Sequence, residues 1–584
     1  MTTRAVAPAP AREEQDRRGS RGWRRQVAAV PLWALLVAVV VPPLALAVAV
    51  LLHQGAAEVA GDQAVIELAV RESAEGGRSL GPYSRYGWSH PGPIWFYLLA
   101  VPYRLLGATS VALHLSVLLL HALTSVLFVG AVDRWAGRLS AAVAAALVLV
   151  MHVAYGGEVF GGVWNPYALL LPLALFLLLA AVAMTGSPLG FGGAALTASF
   201  LAQTHVGVAP PVAAVAVAVG LVGLPVWWWR GHRLAGRQPL AAGALLLLSV
   251  VVWLPPLVQE LGPGTGNLSR MEEYATAPRP ERPVTEALAT VASQLLRLPS
   301  LGRAEELPAA AASLGPLEVV ALLITVAVSL LLVGVGLRRG RPVAAALGAV
   351  TLLLLLASVY AVRQIEGDLF DYLVLWQAVL PVPLVLGVSA LVRPVRAPVD
   401  DRGTPHAAGT PGEGPDQSRT PSRRLAVPGL VAVAVSGIVG GTVAPSVPAF
   451  AGGEAVADAL EATTAALPEP SAGAVRVRIG SDESWPLAAG VVLGLEKRGY
   501  DARVTRDWGF MFGLDRTTAG SETTEVVLAL QEDAEAFRDL PVTRRAGEVE
   551  SAAGPVSVLV RRASDGGPVP EPPDVEITGQ APVS

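Results

Sequence analysis

The stretch YSRYGWSHPGPIWFY, Tyr83–Tyr97, holds three Tyr, two Trp, one Phe, a His, an Arg and two Pro. It stands between two long apolar runs, one over 31–52 and one that begins near 108. Aromatic residues with a polar tip collect where one end is wet and the other apolar. Pro91 and Pro93 impose an extended entry, and IWFYLLAVPYRLLG then reads as a short helix. At roughly 14 residues it is too short to cross a bilayer, so it is expected to lie on the interface.

The bulk numbers agree. The chain has 584 residues, 53% hydrophobic and only 15% charged, with a mean hydropathy of +0.52. Repeated apolar runs of about 20 residues mark transmembrane helices and exclude an ordinary soluble enzyme. The net charge of −4 shows no basic excess, and no basic patch on a soluble fold points to nucleic acid. Cysteine is absent, which removes disulfides and thiolate metal sites. Lys497 is the only lysine among 43 basic residues.

About eleven spans are expected: 31–52, 108–132, 139–155, 166–184, 189–204, 208–229, 239–257, 316–337, 342–362, 371–392 and 425–445. The first follows seven arginines and is longer than a signal peptide's core, so it reads as an anchor. With residues 1–26 as a disordered cytoplasmic start, alternation places Arg134 and Arg138, Arg230 to Arg237, Arg338 to Arg341, and Arg393 to Arg424 inside. The turn TGSPLG near Gly186 carries no charge and supports its two spans least. The outer side then receives the first loop (54–107), YGGEVFGGVWNP, QTHVG, a loop from about Gln259 to Gly315, RQIEGDLFD and the whole C-terminal part.

The transmembrane domain thus spans 27–393, and 394–424 reads as a disordered cytoplasmic linker rich in Pro, Gly, Asp and Ser. A last span (425–445) precedes an extracytoplasmic domain, 446–566, and a Pro-rich disordered tail, 567–584. Within it AVRVRI alternates as a strand, SWPLAAGVVLGLEKRGY reads as an amphipathic helix, and DARVTRD, EVVLALQ and VSVLVRR supply further strands. The expected fold class is an all-α polytopic membrane protein with a small C-terminal α/β domain.

The outer loops hold the candidate chemistry. Asp62, in GDQAVIEL, sits just past the first span. As a partly buried acid at the membrane surface it suits a general base; as the start of a helix it equally suits an N-cap, with Glu67 further along. Glu158 lies in a Gly-rich stretch that permits close backbone approach to a ligand, or is a solvated carboxylate. His90 suits phosphate binding, proton donation, or packing beneath the aromatics. Trp88 beside it offers a ring face. Arg85, ahead of the surface helix, suits a phosphate contact or snorkelling. His205 in QTHVG faces the same side, and Arg363 either clamps a phosphate bidentately or pairs with Glu366 or Asp368. His114 and His121, with Ser125, share one face of a span, where interhelical hydrogen bonding is the common use. There is no HExxH and no P-loop, and GPGTGNL follows no strand of a βαβ unit.

GDQAVIELAV, the aromatic stretch running on to LLG, FLAQTHVG, WLPPLVQELGPGTGNL and YLVLWQ resemble the GT-C superfamily of polyprenyl-phosphate-dependent membrane glycosyltransferases. They look most like its actinobacterial mannosyl- or arabinosyltransferase-like branch, over roughly 25–395. The resemblance implies that Asp62 takes the place of the family's catalytic aspartate and Glu158 that of a second acid that shapes the site or holds a divalent metal. Many relatives carry a second acid directly after the first, where this chain has Gln63; that departure leaves the metal open. The implied function is inverting transfer of a sugar from a polyprenyl-phosphate donor to a cell-envelope glycan, glycolipid or protein on the outer face of the plasma membrane. Asp62 is then the base, Arg363 with Arg85 or His90 holds phosphate, and Trp88 and its neighbours guide lipid and sugar. A flippase of lipid-linked sugars, or an inactive scaffold with the same fold, are the alternatives.

Overall fold

The computed structural model describes residues 30–53, 58–84, 86–230, 237–300, 314–392, 426–446, 452–470, 473–563 and 567–570. The expected disordered start (1–26), the linker (394–424) and all of the tail past 570 lie outside them.

Apolar runs rich in Leu, Val and Ala become helices, the one open-chain geometry that satisfies every backbone group in lipid. In order they are α1 (Leu32–His53), α2 (Gly61–Ala74), α3 (Ile94–Leu105), α4 (Ser110–Ala136), α5 (Arg138–Gly161), α6 (Leu170–Met184) and α7 (Pro188–Thr204). Then come α8 (Val206–Trp229) and α9 (Arg237–Glu260), followed by α10 (Asn267–Thr276), α11 (Val284–Ser300), α12 (Pro316–Arg338) and α13 (Pro342–Arg363). The series ends with α14 (Asp371–Leu391) and α15 (Ala426–Val443).

Nine helices among the described residues are long and apolar enough to cross a membrane: α1, α4, α5, α6 with its lead-in from Tyr167, α8, α9, α12, α13 and α14. The two other expected spans are present as helices. α7 is shorter, 17 residues, and α15 packs along α1. Small residues make α7 fit. A Cβ on Gly190 would stand 2.6 Å from the Ala183 nitrogen, and one on Gly192 2.7 Å from the Ala242 carbonyl, so α7 sits hard against α6 and α9. α6 is buried almost all round from Leu170 to Ala183 and forms the centre of the bundle.

α3 is short, 12 residues, as the sequence suggested. It buries Trp95, Phe96, Leu99 and Tyr103 and exposes Leu98, Val101 and Leu105. One expected boundary is corrected: the span 139–155 does not give way to a loop. α5 breaks at Gly156, whose φ of 63° a glycine adopts readily, and then continues helically to Gly161.

The C-terminal domain comprises α16 (Gly453–Ala466), β1 (Val475–Ile479), α17 (Trp485–Lys497), β2 (Ala502–Val504), β3 (Thr524–Leu530), α18 (Gln531–Arg538), β4 (Thr543–Ser551) and β5 (Gly554–Arg562). The sheet order is β2-β1-β3-β5-β4, parallel on the β2-β1-β3 side and antiparallel on the other. The alternating arginines of β1 are closed by acids: Arg476 reaches Glu522 at 3.2 Å and Arg478 reaches Glu525 at 2.7 Å.

α2 joins the two halves. Val59, Ala64, Val65 and Leu68 belong to the apolar core of the C-terminal domain, while Ile66, Ala69 and Val70 pack against α3 and α4. The domain therefore sits at the same end of the bundle as the first long loop.

Candidate active site

A cavity of about 570 Å³ opens at that end of the bundle, between α2, the segment 82–96 and the ends of several helices. Aromatic side chains are prominent in its wall, with Tyr83, Tyr86, Trp88, Trp164, Tyr274 and Tyr372 among them.

The segment after α2 folds back as a hairpin. Tyr83 and Ser89 form an antiparallel bridge, the His90 amide donates to the Pro82 carbonyl at 2.7 Å, and the Gly81 amide donates to the His90 carbonyl at 3.0 Å. Gly87 turns the chain with a φ of +79°. A buried side chain fixes the hairpin from outside: Asn267 accepts from the Ser89 amide and donates to the Ser89 carbonyl, both at 2.8 Å. This gives the GPGTGNL stretch a structural task.

Asp62 lines the cavity. It does not cap α2, as one reading held: Ala60 occupies the N-cap position with no side-chain bond. The Asp62 carboxylate instead accepts a hydrogen bond from the Tyr83 hydroxyl at 2.6 Å. Burial pushes its pKa above the ordinary carboxylate range, and the Tyr83 bond opposes that shift. Burial and the adjacent carboxylate push Tyr83 upward, so it stays a hydroxyl donor at neutral pH.

His90, Trp88 and His205 line the same cavity. The two imidazoles lie 4.8 Å apart at a 32° tilt. Each accepts a backbone N–H at Nδ1, His90 from Val206 and His205 from Gly207, both at 3.1 Å, which leaves the proton on Nε2. Burial pushes His90 well below its ordinary value, with His205 adding to the effect, and pushes His205 down to about 4. Both rings are neutral at pH 7. Trp88 stacks on Tyr86 with ring centroids 6.0 Å apart and lies tilted against Tyr274 at 5.6 Å.

Other expected residues fall elsewhere. Glu158 is exposed on α5 and accepts from Tyr167 at 3.3 Å, outside the cavity wall. Arg363 stands one residue from Gln364 of the wall but does not line it. Its guanidinium pairs with Glu281, which corrects the expected pairing with Glu366 or Asp368. Arg85 lies outside the described residues. His114 makes the interhelical bond expected of it, to the Gly161 carbonyl at 2.7 Å.

The cationic side chains of the described wall are Arg78 and Arg279. Arg78 is spent on Glu72 at 3.2 Å and the Leu80 carbonyl at 3.2 Å. Arg279 lies over the Tyr274 ring at 4.4 Å. Neither stood out in sequence, since a stretch such as MEEYATAPRP carries no signal beyond polarity. Gln377, fully buried in the wall, has no hydrogen-bond partner on its carboxamide among the described residues. Among the described residues no group of three or more His, Asp or Glu converges to hold a metal ion, and no step below is routed through one.

No protein-family pattern matches this chain, and no curated protein does. A solved structure with a similar arrangement is the crystal structure of ArnT from Cupriavidus metallidurans in the apo state. It is 16% identical, with a TM-score of 0.49, and the match covers 95% of this chain and 100% of that one. A likeness of that size assigns no chemistry.

Proposed function

We propose that the protein is a membrane glycosyltransferase that moves a sugar from a polyprenyl-phosphate donor to a cell-envelope acceptor at the outer surface of the plasma membrane. The observation that carries this reading is the Asp62–Tyr83 pair in the wall of a cavity rich in aromatic side chains, which also touches the short helix α3 at Phe96. A lipid-linked sugar has an apolar tail, ring faces that stack on aromatic side chains, and an anionic leaving group next to the reacting carbon. The cavity offers a counterpart to each.

Asp62 is the general base, and its raised pKa makes it a stronger proton acceptor than an exposed aspartate. Tyr83 fixes one carboxylate oxygen, and the other takes the acceptor's hydroxyl proton. The acceptor oxygen forms a bond to the anomeric carbon as the bond from that carbon to the phosphate oxygen breaks, and the electron pair leaves with polyprenyl phosphate. Attack from the face opposite the phosphate inverts the anomeric centre. His90 and His205, neutral and protonated at Nε2, donate to phosphate oxygens, and Arg279 supplies positive charge. Trp88 and Tyr274 hold the sugar ring and the first isoprene units.

The test is to incubate purified protein in lipid nanodiscs with polyprenyl-phosphate sugars and envelope acceptors, then analyse the product. Formation of a glycosylated acceptor of inverted configuration together with free polyprenyl phosphate supports the reading. Donor movement across the bilayer without any new glycosidic bond sinks it in favour of a flippase.

A further inference from the structure

The chain's only lysine lies in the C-terminal domain, yet its partner belongs to the helix that carries Asp62. Lys497, at the end of α17, places Nζ 2.7 Å from Glu67 Oε1 and donates to the Ser110 hydroxyl at 2.8 Å. Glu67 is fully buried. It also accepts from the Tyr103 hydroxyl at 2.8 Å and from the Ser110 hydroxyl at 2.6 Å. One carboxylate thus ties together α2, α3, the start of α4 and the C-terminal domain.

Glu67 lies five positions after Asp62 on a helix of 14 residues, so a rotation or slide of α2 at one residue displaces the other. Further contacts run along the same seam. Arg516 reaches Glu72 at 2.8 Å and Glu496 at 2.7 Å, and Arg498 reaches Glu58 at 3.1 Å. At the N-terminus of α2, Gly61 has a φ of +57°, and a Cβ there would meet Pro486 at 3.5 Å and Trp485 at 3.7 Å. In those outer pairs each acid keeps some solvent access, 16–19%, which can offset the loss of its partner. The Glu67 carboxylate has none, and a buried charge without its cation is costly and finds no water to relieve it.

We infer that Lys497 is a positioning residue for Asp62: the C-terminal domain holds α2 in the register that aims the base, through the Lys497–Glu67 pair. This rests on the proposed role of Asp62. The domain is therefore part of the transferase itself, and separating it from the bundle disarms the site.

The test uses full-length protein in nanodiscs and the variants Lys497→Met, Lys497→Arg and the double variant Glu67→Gln/Lys497→Met, which leaves no unpaired buried charge. Displacement of a catalytic group by about an ångström costs on the order of a hundredfold in rate. Lys497→Met and the double variant are expected to lose at least about tenfold in kcat per folded protein while the donor KM stays unchanged. Lys497→Arg recovers most of the loss.

Hydrogen exchange gives a readout that needs no activity. Amides of the first turns of α2, from Asp62 to Ile66, exchange faster in Lys497→Met and in the double variant, and return to the wild-type rate in Lys497→Arg. Unchanged exchange there overturns the inference, as does a lowered Tm with unchanged kcat. If wild type transfers no sugar, the proposed function falls while the exchange result still decides whether Lys497 orders the Asp62 turn.

Discussion

The Tyr83 hydroxyl donates a 2.6 Å hydrogen bond to the Asp62 carboxylate across 21 residues of chain. That bond links the aromatic hairpin to α2 and opposes the effect of burial on the proposed base. Burial raises the Asp62 pKa, and the Tyr83 bond, which favours the ionised form, pulls it back. Tyr83→Phe removes only the second effect, so the Asp62 pKa rises further. Since the base works ionised, the acidic limb of the kcat/KM profile moves to higher pH in Tyr83→Phe. A limb that stays in place or moves to lower pH detaches Tyr83 from the base.

The same shift has a consequence for stability. Between the ordinary aspartate value of 3.8 and its raised folded value, the folded chain binds more protons at Asp62 than the unfolded chain does. Stability contributed at this site therefore falls as pH rises through that window. Asp62→Asn, which cannot ionise, is expected to melt above wild type at pH 7, with the difference vanishing below about pH 3.8. Thermal scans of the detergent-solubilised pair at both pH values check this. A lower Tm for the variant at pH 7 contradicts it.

Trp88 is nearly buried and flanked by Tyr86 and Tyr274 in the cavity wall. Loss of one aromatic partner costs about 0.5–1.5 kcal/mol beyond area burial. Trp88→Ala is accordingly expected to weaken donor binding by about three- to tenfold with a smaller effect on kcat. Titration with a non-transferable phosphonate analogue of the donor measures it directly.

Two arginines separate by position. Arg279 lines the cavity, whereas Arg363 is engaged with Glu281 at the surface, their side chains 33% and 47% exposed. Removing such an exposed pair changes stability by about 0–1 kcal/mol. Arg279→Ala is expected to raise the donor KM at least about tenfold, in line with the loss of a charge-assisted contact. Arg363→Ala leaves it within about twofold, since its guanidinium does not face the cavity. The reverse ranking would move the phosphate site to the Arg363 side of the rim.

Much of the membrane fold was legible because its signals are local. Apolar length announced the spans, and Pro91 and Pro93 with the aromatics announced the short helix α3. In the soluble domain, alternation in AVRVRI and EVVLALQ marked β1 and β3. The edge strand β4, TRRAGEVES, was missed because its exposed positions carry charge and leave almost no apolar alternation. Asp62, Trp88, His90 and His205, expected in loops on one side of the chain, line one cavity. The partners that define their chemistry were not legible. Asn267 reaches Ser89 across 178 positions, and Lys497 reaches the Ser110 beside Glu67 across 387; such pairings follow from how helices and domains pack. Gly156 disguised the end of α5 in the same way, since a glycine in YGGEV reads as a loop until the helix is seen to continue past it.

The central claim is that Asp62 deprotonates an acceptor for attack on a polyprenyl-phosphate sugar. The most direct measurement is transfer of radiolabelled sugar from polyprenyl phosphate by wild type and Asp62→Asn at equal folded concentration, with binding of the donor analogue followed in parallel. Loss of a base of this kind costs on the order of a hundredfold or more in rate. The account predicts transfer by wild type, a loss of that size in Asp62→Asn, and donor binding retained by both. Undiminished transfer by Asp62→Asn would contradict it.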